Sequence, residues 1–257
     1  MNLHRIVALV SLACLAMPLF QRADAQDDPN SASNQKIKYP QTNRVDVVDD
    51  YHGRKVSDPY RWLEDTESSE TAAWIKAENT ITQQYLHSIP AREPMRERLQ
   101  QLWNYERFGM PVRRGQTYFY SHNDGLQNQS VYYKADSLDA QRQVLLDPNK
   151  LSDDGTVALA ATAPSDDGQL LAYGLADGGS DWRTWKVRNV ATDKDLEDVI
   201  LWVKFSGIAW LPDSSGFFYG RYAEPKDGKE LTGTNENQRL FFHKLGQSQS
   251  EDTLVLE

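Results

Sequence analysis

The sequence has a single cysteine among its 257 residues, and that residue, Cys14, lies in an apolar stretch near the N-terminus. The rest of the chain therefore has no disulfide and no thiol chemistry. Basic residues are outnumbered, with 28 Lys and Arg against 37 Asp and Glu, and they form no cluster. Nucleic acids and anionic membranes bind patches of Lys and Arg, so the composition argues against both as partners. Beyond the N-terminal stretch, no apolar run approaches the about 20 residues that a membrane span needs.

Residues 1–25 are typical of a secretory signal peptide. Arg5 supplies a small positive region, residues 6–20 are apolar apart from one serine and one proline, and Ala23-Asp24-Ala25 is a small-x-small cleavage signal. Acylation of Cys14 is disfavoured, because a serine stands where a lipoprotein signal would carry an aliphatic residue. We therefore expect cleavage near Ala25, a periplasmic or secreted product, and a flexible polar leader over residues 26–38.

Residues 39–110 are predicted to form a mixed segment in which a strand turn is followed by two helices. Residues 45–51 alternate loosely, and His52-Gly53 is a turn signal. The second helix is expected between Pro94 and Trp103. Apolar side chains at helical spacing form one stripe in each helix, namely Trp74, Ala77, Ile81 and Tyr85, then Met95, Leu99 and Leu102. Such stripes predict faces that are packed in a core.

From Thr117 onward the hydrophobic period becomes strand-like and the sequence repeats. Two strand pairs superpose without a gap at an offset of 53 residues, Tyr118 to Tyr120 and Val131 to Tyr133 over Leu171 to Tyr173 and Thr184 to Lys186. A third copy begins at Trp210, with residues 240–242 as its partner strand. Units of roughly 40 to 50 residues with short strands and Asp/Gly turns are typical of β-propeller blades. The expected fold of residues 111–257 is therefore an all-β propeller, with three blades present.

The tetrapeptide Ser-Asp-Asp-Gly occurs twice, at residues 152–155 and 165–168. A calcium loop would need oxygen ligands at alternating positions and a closing glutamate, and the run after Gly155 supplies no carboxylate. A tight turn fits better, since Gly takes positive φ and Asp bonds its own backbone. We place the second copy between the first two strands of a blade and the first copy in the crossing between blades. No metal and no cofactor is predicted.

Ring closure sets a limit on what these residues can form alone. A propeller needs about 4 to 8 blades to bury the faces of its sheets, so the sequence is predicted to be the front part of a longer protein. The last blade is expected to expose an open edge and apolar side chains, including Phe241, Phe242, Leu254 and Leu256. We expect the isolated chain to aggregate or to behave as a molten species.

Further motifs run collinearly from about Tyr39 to the end of the chain, at residues 50–53, 56–65, 125–129, 151–159 and 179–182. Together they resemble the prolyl oligopeptidase family of serine peptidases, in its N-terminal portion. The resemblance implies a seven-bladed propeller inserted after an N-terminal segment, here residues 39–110, which packs on an α/β-hydrolase domain. It also implies a propeller that covers the active site, so that peptides enter and folded proteins do not.

The same resemblance implies an activity, which is cleavage of short peptides on the carboxyl side of proline. The catalytic Ser, Asp and His are then expected downstream of Glu257, and the implied partners are short proline-containing peptides and the C-terminal hydrolase domain. The family places an aromatic residue of the substrate cavity just before the second Ser-x-Asp-Gly turn. This sequence has Pro164 there, which makes Pro164 the candidate cavity residue and a departure from the family pattern.

The chain itself carries no nucleophile elbow of the form Gly-x-Ser-x-Gly, because the segments around Ser180 and Ser248 both lack the final glycine. The histidines beyond the signal are predicted to have surface or packing roles: His52, His87, His122 and His243. Most Asp and Glu fall in turns and on a helix, where solvation is expected. The chain alone is therefore predicted to be inactive. Two other classes stay open, a non-catalytic propeller that binds peptide or sugar and a propeller glycosidase with two convergent carboxylates.

Overall fold

The computed structural model describes residues 37–226, 230–231 and 233–257. The predicted signal peptide and most of the predicted leader lie outside the described residues. The chain divides into two compact units, with the boundary between Arg96 and Glu97. No helix in the described part of the chain is long and apolar enough to cross a membrane.

The first unit begins with a β-hairpin. Strand β1 (Val48–Tyr51) pairs antiparallel with β2 (Arg54–Ser57), and the two residues between them, His52 and Gly53, have φ of 56° and 88°. Positive φ at both central positions is what a type I′ turn requires, and its twist matches that of two paired strands. The predicted turn at this dipeptide is confirmed.

Two helices follow, after a 3-10 helix at Arg61–Glu64. Helix α1 spans Ser69–Ser88, and α2 spans Arg92–Trp103 and crosses the boundary between the units. Ser68 caps α1, because its hydroxyl accepts a hydrogen bond of 3.1 Å from the Thr71 amide. Both predicted helices are therefore present.

The apolar stripes of these helices are mostly exposed. Trp74 and Ile81 are half-buried, whereas the exposed members are Ala77, Tyr85, Met95, Leu99 and Leu102. In α2, Met95 is 63% and Leu99 is 55% exposed. The prediction that these faces pack in a core is wrong for the described chain, because helical spacing shows which face is apolar but not what covers it.

The second unit contains three antiparallel sheets, each built from consecutive strands, and we call them blades 1 to 3. Blade 1 has two short first strands in place of one, β3 (Arg107–Phe108) and β4 (Val112–Arg114), which both pair with β5. Pro111 lies between them and has no N–H to donate, so it interrupts the ladder. The remaining strands of blade 1 are β5 (Thr117–Asn123), β6 (Val131–Ala135) and β7 (Gln143–Leu146).

Blades 2 and 3 each have four strands in sequential order. Blade 2 contains β8 (Ala158–Pro164), β9 (Leu170–Ala176), β10 (Arg183–Asn189) and β11 (Lys194–Val203). Blade 3 contains β12 (Ile208–Trp210), β13 (Gly216–Arg221), β14 (Arg239–Lys244) and β15 (Thr253–Leu256). The partner strand predicted at residues 240–242 lies in β14 and pairs with β13. The predicted fold class, propeller blades after a mixed N-terminal segment, is confirmed.

Two buried apolar layers join the blades, and we call these contacts joint 1–2 and joint 2–3. Successive side chains of a strand point to opposite faces of its sheet, so Leu171 and Tyr173 of β9 pack toward blade 1 and Ala172 toward blade 3. Joint 1–2 contains Phe119, Tyr132, Leu145, Leu146, Leu171, Tyr173 and Val190. Joint 2–3 contains Ala172, Trp185, Val187, Ile200, Val203, Phe217 and Tyr219.

Both Ser-Asp-Asp-Gly segments lie where the repeat predicts them. Residues 165–168 connect β8 to β9 within blade 2, and residues 152–155 lie between β7 of blade 1 and β8 of blade 2. Their glycines, Gly155 and Gly168, both have φ of 73°, which an L side chain rarely adopts. Their role as turns is confirmed.

The outer side of blade 3 is apolar and open, in part as predicted. Leu254 is 41% and Leu256 is 65% exposed. Phe241 and Phe242 are half-buried, since Phe241 packs against joint 2–3 and lies 4.2 Å from the Arg221 guanidinium. The predicted exposure is therefore only partial for these two phenylalanines.

Candidate functional site

A polar network crosses joint 1–2 beside the apolar layer. Arg188 on β10 donates from Nε to Asp195 Oδ1 at 2.7 Å and from Nη1 to the Leu145 carbonyl on β7 at 2.8 Å. The Tyr173 hydroxyl donates to Asp195 Oδ2 at 2.9 Å. We call Arg188, Asp195 and Tyr173 the arginine network. Its guanidinium links the fourth strand of blade 2 to the last strand of blade 1.

A second network crosses joint 2–3 around His243 on β14. Its Nδ1 lies 2.6 Å from Oδ1 of Asp252, which precedes β15, and its Nε2 lies 3.0 Å from Oδ1 of Asp198 on β11. The Tyr219 hydroxyl donates to Asp252 Oδ2 at 2.5 Å. The side chains of His243, Asp198 and Asp252 are 1%, 3% and 0% exposed. We call these four residues the histidine network.

Charge pairing governs titration in both networks. Burial raises the pKa of Asp195, but hydrogen bonds from Arg188 and Tyr173 outweigh burial and hold it below its ordinary value. Burial lowers the pKa of His243, but hydrogen bonds to Asp252 and Asp198 outweigh burial and hold it above its ordinary value. The surroundings therefore favour the charged form of the carboxyl in the arginine network and the charged form of the imidazole in the histidine network.

A groove of about 510 Å³ lies on the surface at joint 1–2. Its lining includes Lys134 at the end of β6, and Asp167 and Gly168 of the second Ser-Asp-Asp-Gly turn. Lys134 Nζ donates to the Val190 carbonyl and to Asp193 Oδ1, so this ammonium is already paired across the joint. The groove lies at the end of blade 2 where β8 turns into β9.

Pro164, the predicted cavity residue, is the last residue of β8 at this same end and is half-buried. The backbone around it is held on both sides. The Trp210 indole N–H donates to the Ala163 carbonyl at 2.8 Å, and the buried Ser165 hydroxyl accepts from the Leu170 amide at 3.0 Å. The structure thus places Pro164 at a fixed strand end, just before the turn whose Asp167 and Gly168 line the groove. Contact of Pro164 with substrate stays a prediction.

The two serines considered as nucleophiles have structural partners. Ser180, between β9 and β10, accepts a hydrogen bond from the Trp182 amide at 3.1 Å. Ser248 caps the 3-10 helix Gln249–Glu251 in a reciprocal capping box with Glu251. In an antiparallel blade, the connection after the second strand and the connection after the third lie at opposite ends, so these serines occupy opposite ends of their blades.

The histidines are in four separate settings. His52 lies in the β1–β2 turn and His87 in the last turn of α1. His122 Nε2 lies 2.6 Å from Glu106 Oε1, and its ring centroid is 4.4 Å from that of Phe108. Both ring nitrogens of His243 face carboxylates, so this ring has no free nitrogen to serve as a base.

Sequence reasoning missed both networks. The prediction that acidic residues lie solvated in turns is wrong for Asp198 and Asp252, because their carboxylates are buried beside His243. One signal was present, since Tyr173 and Tyr219 occupy matching positions of the repeat, 46 residues apart. A tyrosine buried at the same place in two blades needs a hydroxyl partner in each.

The sequence profile of the family described as "Prolyl oligopeptidase, N-terminal beta-propeller domain" matches residues 40–257. The chain belongs to the prolyl oligopeptidase family. It is 45% identical over 227 residues to the prolyl endopeptidase of Elizabethkingia meningoseptica, an alignment that covers 88% of this chain and 32% of that enzyme. It is 32% identical over 274 residues to the prolyl endopeptidase of Dictyostelium discoideum, covering 86% of this chain and 36% of that enzyme.

Solved structures of prolyl oligopeptidases share the fold. One, from a study of two prolyl endopeptidases and the role of inter-domain dynamics, superposes with a TM-score of 0.76 at 34% identity and covers 86% of this chain. Prolyl oligopeptidase B of Galerina marginata, bound to a 35mer hydrolysis and macrocyclization substrate, superposes with a TM-score of 0.71 at 33% identity and covers 84% of it. The chain spans about a third of each of these proteins, 32% and 34%.

Proposed function

We propose that this chain is the N-terminal and propeller portion of a serine endopeptidase that cleaves short peptides on the carboxyl side of proline. The observation that carries the proposal is the family match over residues 40–257, with 45% identity to a prolyl endopeptidase. Because the chain spans about a third of such enzymes, we place the catalytic Ser, Asp and His downstream of Glu257, in an α/β-hydrolase domain. This chain then contributes access control and support.

Access control follows from how blades are joined. Buried aromatic side chains such as Tyr173, Trp185 and Phe217 hold neighbouring sheets face to face. Because the faces are packed, a ring of such blades is open only where the strands end. We propose that the propeller covers the active site and admits peptides by size. Pro164 stands at one strand end, where the family carries an aromatic residue of the substrate cavity. A proline ring there offers a smaller apolar surface to the residues upstream of the cleaved bond.

Support follows from the exposed stripe of α2. Met95, Leu99 and Leu102 leave a continuous apolar face uncovered in the described chain. We propose that the hydrolase domain covers this face, as the resemblance implies for residues 39–110. Burial at about 25 cal/mol per Å² of apolar surface would make this contact a substantial part of the interface energy.

The test compares the natural protein that carries this chain with the 257-residue chain alone. We expect a fluorophosphonate serine probe to label the natural protein and a chromogenic succinyl-Gly-Pro substrate to be cleaved by it. The chain alone should show neither reaction, because acyl transfer needs nucleophile, base and oxyanion hole together. Labelling of the chain alone at Ser180 or Ser248 would contradict the assignment, and so would failure of the natural protein to cleave after proline.

The size filter has its own test on the same protein. Short proline-containing peptides should be cleaved, while a folded protein with an exposed Pro-x bond should resist and become a substrate only after unfolding and fragmentation. Equal rates on the folded protein and on its short fragments would rule out access control without disturbing the assignment of the reaction.

We also propose export, on the basis of residues 1–25. Expression in a Gram-negative host should give a periplasmic product whose intact mass begins at Gln26. A cytoplasmic product that keeps Met1 would disprove export and leave the peptidase assignment untouched.

A further inference from the structure

The arginine and histidine networks occupy equivalent positions of their blades. Within blade 2, Arg188 pairs in the ladder with Leu171, two residues before Tyr173. Within blade 3, His243 pairs with Phe217, two residues before Tyr219. In each blade the tyrosine hydroxyl donates to an aspartate, which is Asp195 in the fourth strand of blade 2 and Asp252 just before the fourth strand of blade 3. The same aspartate also binds the basic side chain.

Both basic side chains also reach the last strand of the preceding blade. Arg188 donates to a carbonyl, that of Leu145 on β7. His243 instead meets a second carboxylate, that of Asp198 on β11, which also accepts a hydrogen bond from the Gly246 amide at 2.7 Å. The third blade therefore holds a titratable ring between two buried acids, where the second blade holds a guanidinium that keeps its proton in proteins.

A proton on each ring nitrogen lets His243 donate to both carboxylates. A neutral imidazole has one N–H donor and one lone pair, so one of Asp198 and Asp252 would face that lone pair at 3.0 Å or less. Both carboxylates are buried and receive little help from water. Loss of the proton would thus replace a charge-assisted hydrogen bond with a repulsive contact across joint 2–3.

We propose that joint 2–3 is a pH-dependent joint, closed by the imidazolium form of His243 and loosened when that ring loses its proton, whereas the Arg188 guanidinium at the equivalent place in joint 1–2 keeps its proton. The property lies outside the peptidase reaction and does not depend on it. Loss of the His243 proton would loosen the contact of blade 3 with blade 2 under alkaline conditions.

The surrounding elements add no competing base. The titratable groups that face the ring are Asp198 on β11, Asp252 before β15 and, through Asp252, Tyr219 on β13. Strands β12 and β15 carry no ionisable side chain, and Arg221 on β13 acts on Tyr219.

The direction of the effect follows from the raised pKa of His243. A group whose pKa is higher in the folded protein stabilises that state fully below its unfolded pKa, and the contribution is lost as pH rises through the folded value. Joint 2–3 should therefore be tightest below the unfolded pKa of the ring and should loosen as pH rises through the folded pKa.

Hydrogen exchange of the natural protein between about pH 6 and pH 10, corrected for intrinsic rates, tests the proposal. Peptides from β14 and β15 should lose protection by about tenfold or more as pH rises, while peptides from β9 and β10 on the side of joint 1–2 keep theirs. Protection of β14 and β15 that changes with pH no more than that of β9 and β10 would overturn the proposal.

Asp198→Asn sharpens the test, because the amide oxygen can still accept from His243 and Gly246 while the charge is removed. The pH at which β14 and β15 lose protection should fall by about 1 to 3 units, the usual effect of one nearby opposite charge. The matched control is Asp195→Asn in the arginine network, which should leave that midpoint in place. An unmoved midpoint in Asp198→Asn would also overturn the proposal, and the wild-type profile decides the matter if this variant fails to fold.

Discussion

Joint 1–2 and joint 2–3 place their polar networks at the same three positions of the repeat, yet we expect them to lose stability in opposite directions of pH. In joint 1–2 the group that titrates is Asp195, whose pKa is lowered, so its contribution is lost as pH falls through the folded value. In joint 2–3 we assign that role to His243, whose pKa is raised, so its contribution is lost as pH rises. Two differences at equivalent places accompany this reversal, a histidine in place of an arginine and the Asp198 carboxylate in place of the Leu145 carbonyl.

The two joints also differ in burial. Asp195 is 33% exposed, whereas the Asp252 side chain is fully buried. Water can replace part of a lost bond in the first case but not in the second. The comparison teaches that the same pattern of hydrogen bonds can be worth very different free energies in adjacent blades.

The largest difference between the joints is expected for removal of the fourth-strand aspartate. Asp252→Ala should lower the free energy of opening of blade 3 by about 3 to 5 kcal/mol, because it leaves His243 Nδ1 and the Tyr219 hydroxyl buried without the carboxylate they share. Asp195→Ala, the matched change in blade 2, should cost roughly 1 kcal/mol, since its pair is partly exposed. Native-state hydrogen exchange of amides in β13 and β9 measures both values, and equal costs would show that burial does not distinguish the networks.

The apolar layers should behave alike in the two joints. Leu145→Ala in joint 1–2 and Ile200→Ala in joint 2–3 each remove a side chain that is 1% exposed, so each should cost about 2 to 5 kcal/mol. Neither cost should vary with pH between about 6 and 9, because no charge is changed. A pH-dependent cost for Ile200→Ala alone would indicate that the variant acts through the histidine network.

The smallest costs are expected for removal of the tyrosine hydroxyls, and they should still differ between the joints. Tyr219→Phe leaves Asp252 Oδ2 without its donor in a buried site and should cost about 1 to 3 kcal/mol. Tyr173→Phe should cost about 1 kcal/mol or less, because Asp195 keeps both bonds to Arg188 and some contact with water. Hydrogen exchange of amides in the two blades measures both free-energy costs. A larger cost for Tyr173→Phe than for Tyr219→Phe would contradict the prediction.

The strands of the three blades were predictable because their signals are local. The aromatic run at Tyr118 to Tyr120 reflects the residue types that favour a strand, and the Asp-Gly turn at residues 167–168 reflects the φ of a tight turn. Both signals depend on near neighbours. The fixed offset of the repeat then allowed the strands of one blade to be located from those of the previous blade. The same locality explains why the I′ turn at His52 and Gly53 was found.

What the sequence did not reveal depends on partners that are distant along the chain. Tyr219 follows Tyr173 by 46 residues, but His243 follows Arg188 by 55, because the connection before β14 is longer than the one before β10. A fixed offset therefore does not bring the two basic residues into register. The exposed stripe at Met95 and Leu99 failed for a related reason, since periodicity identifies an apolar face without identifying its partner.

Three of the hydrogen bonds between neighbouring blades join residues at similar separations along the chain. The contact from Arg188 to Leu145 spans 43 residues, that from His243 to Asp198 spans 45, and that from Trp210 to Ala163 spans 47. The entropy of closing a loop depends on its length, so adding blade 3 to blade 2 costs about as much as adding blade 2 to blade 1. The chain can then assemble in the order of its synthesis, because each new blade docks on the blade synthesised just before it. The sequence separation of these contacts does not increase as blades are added.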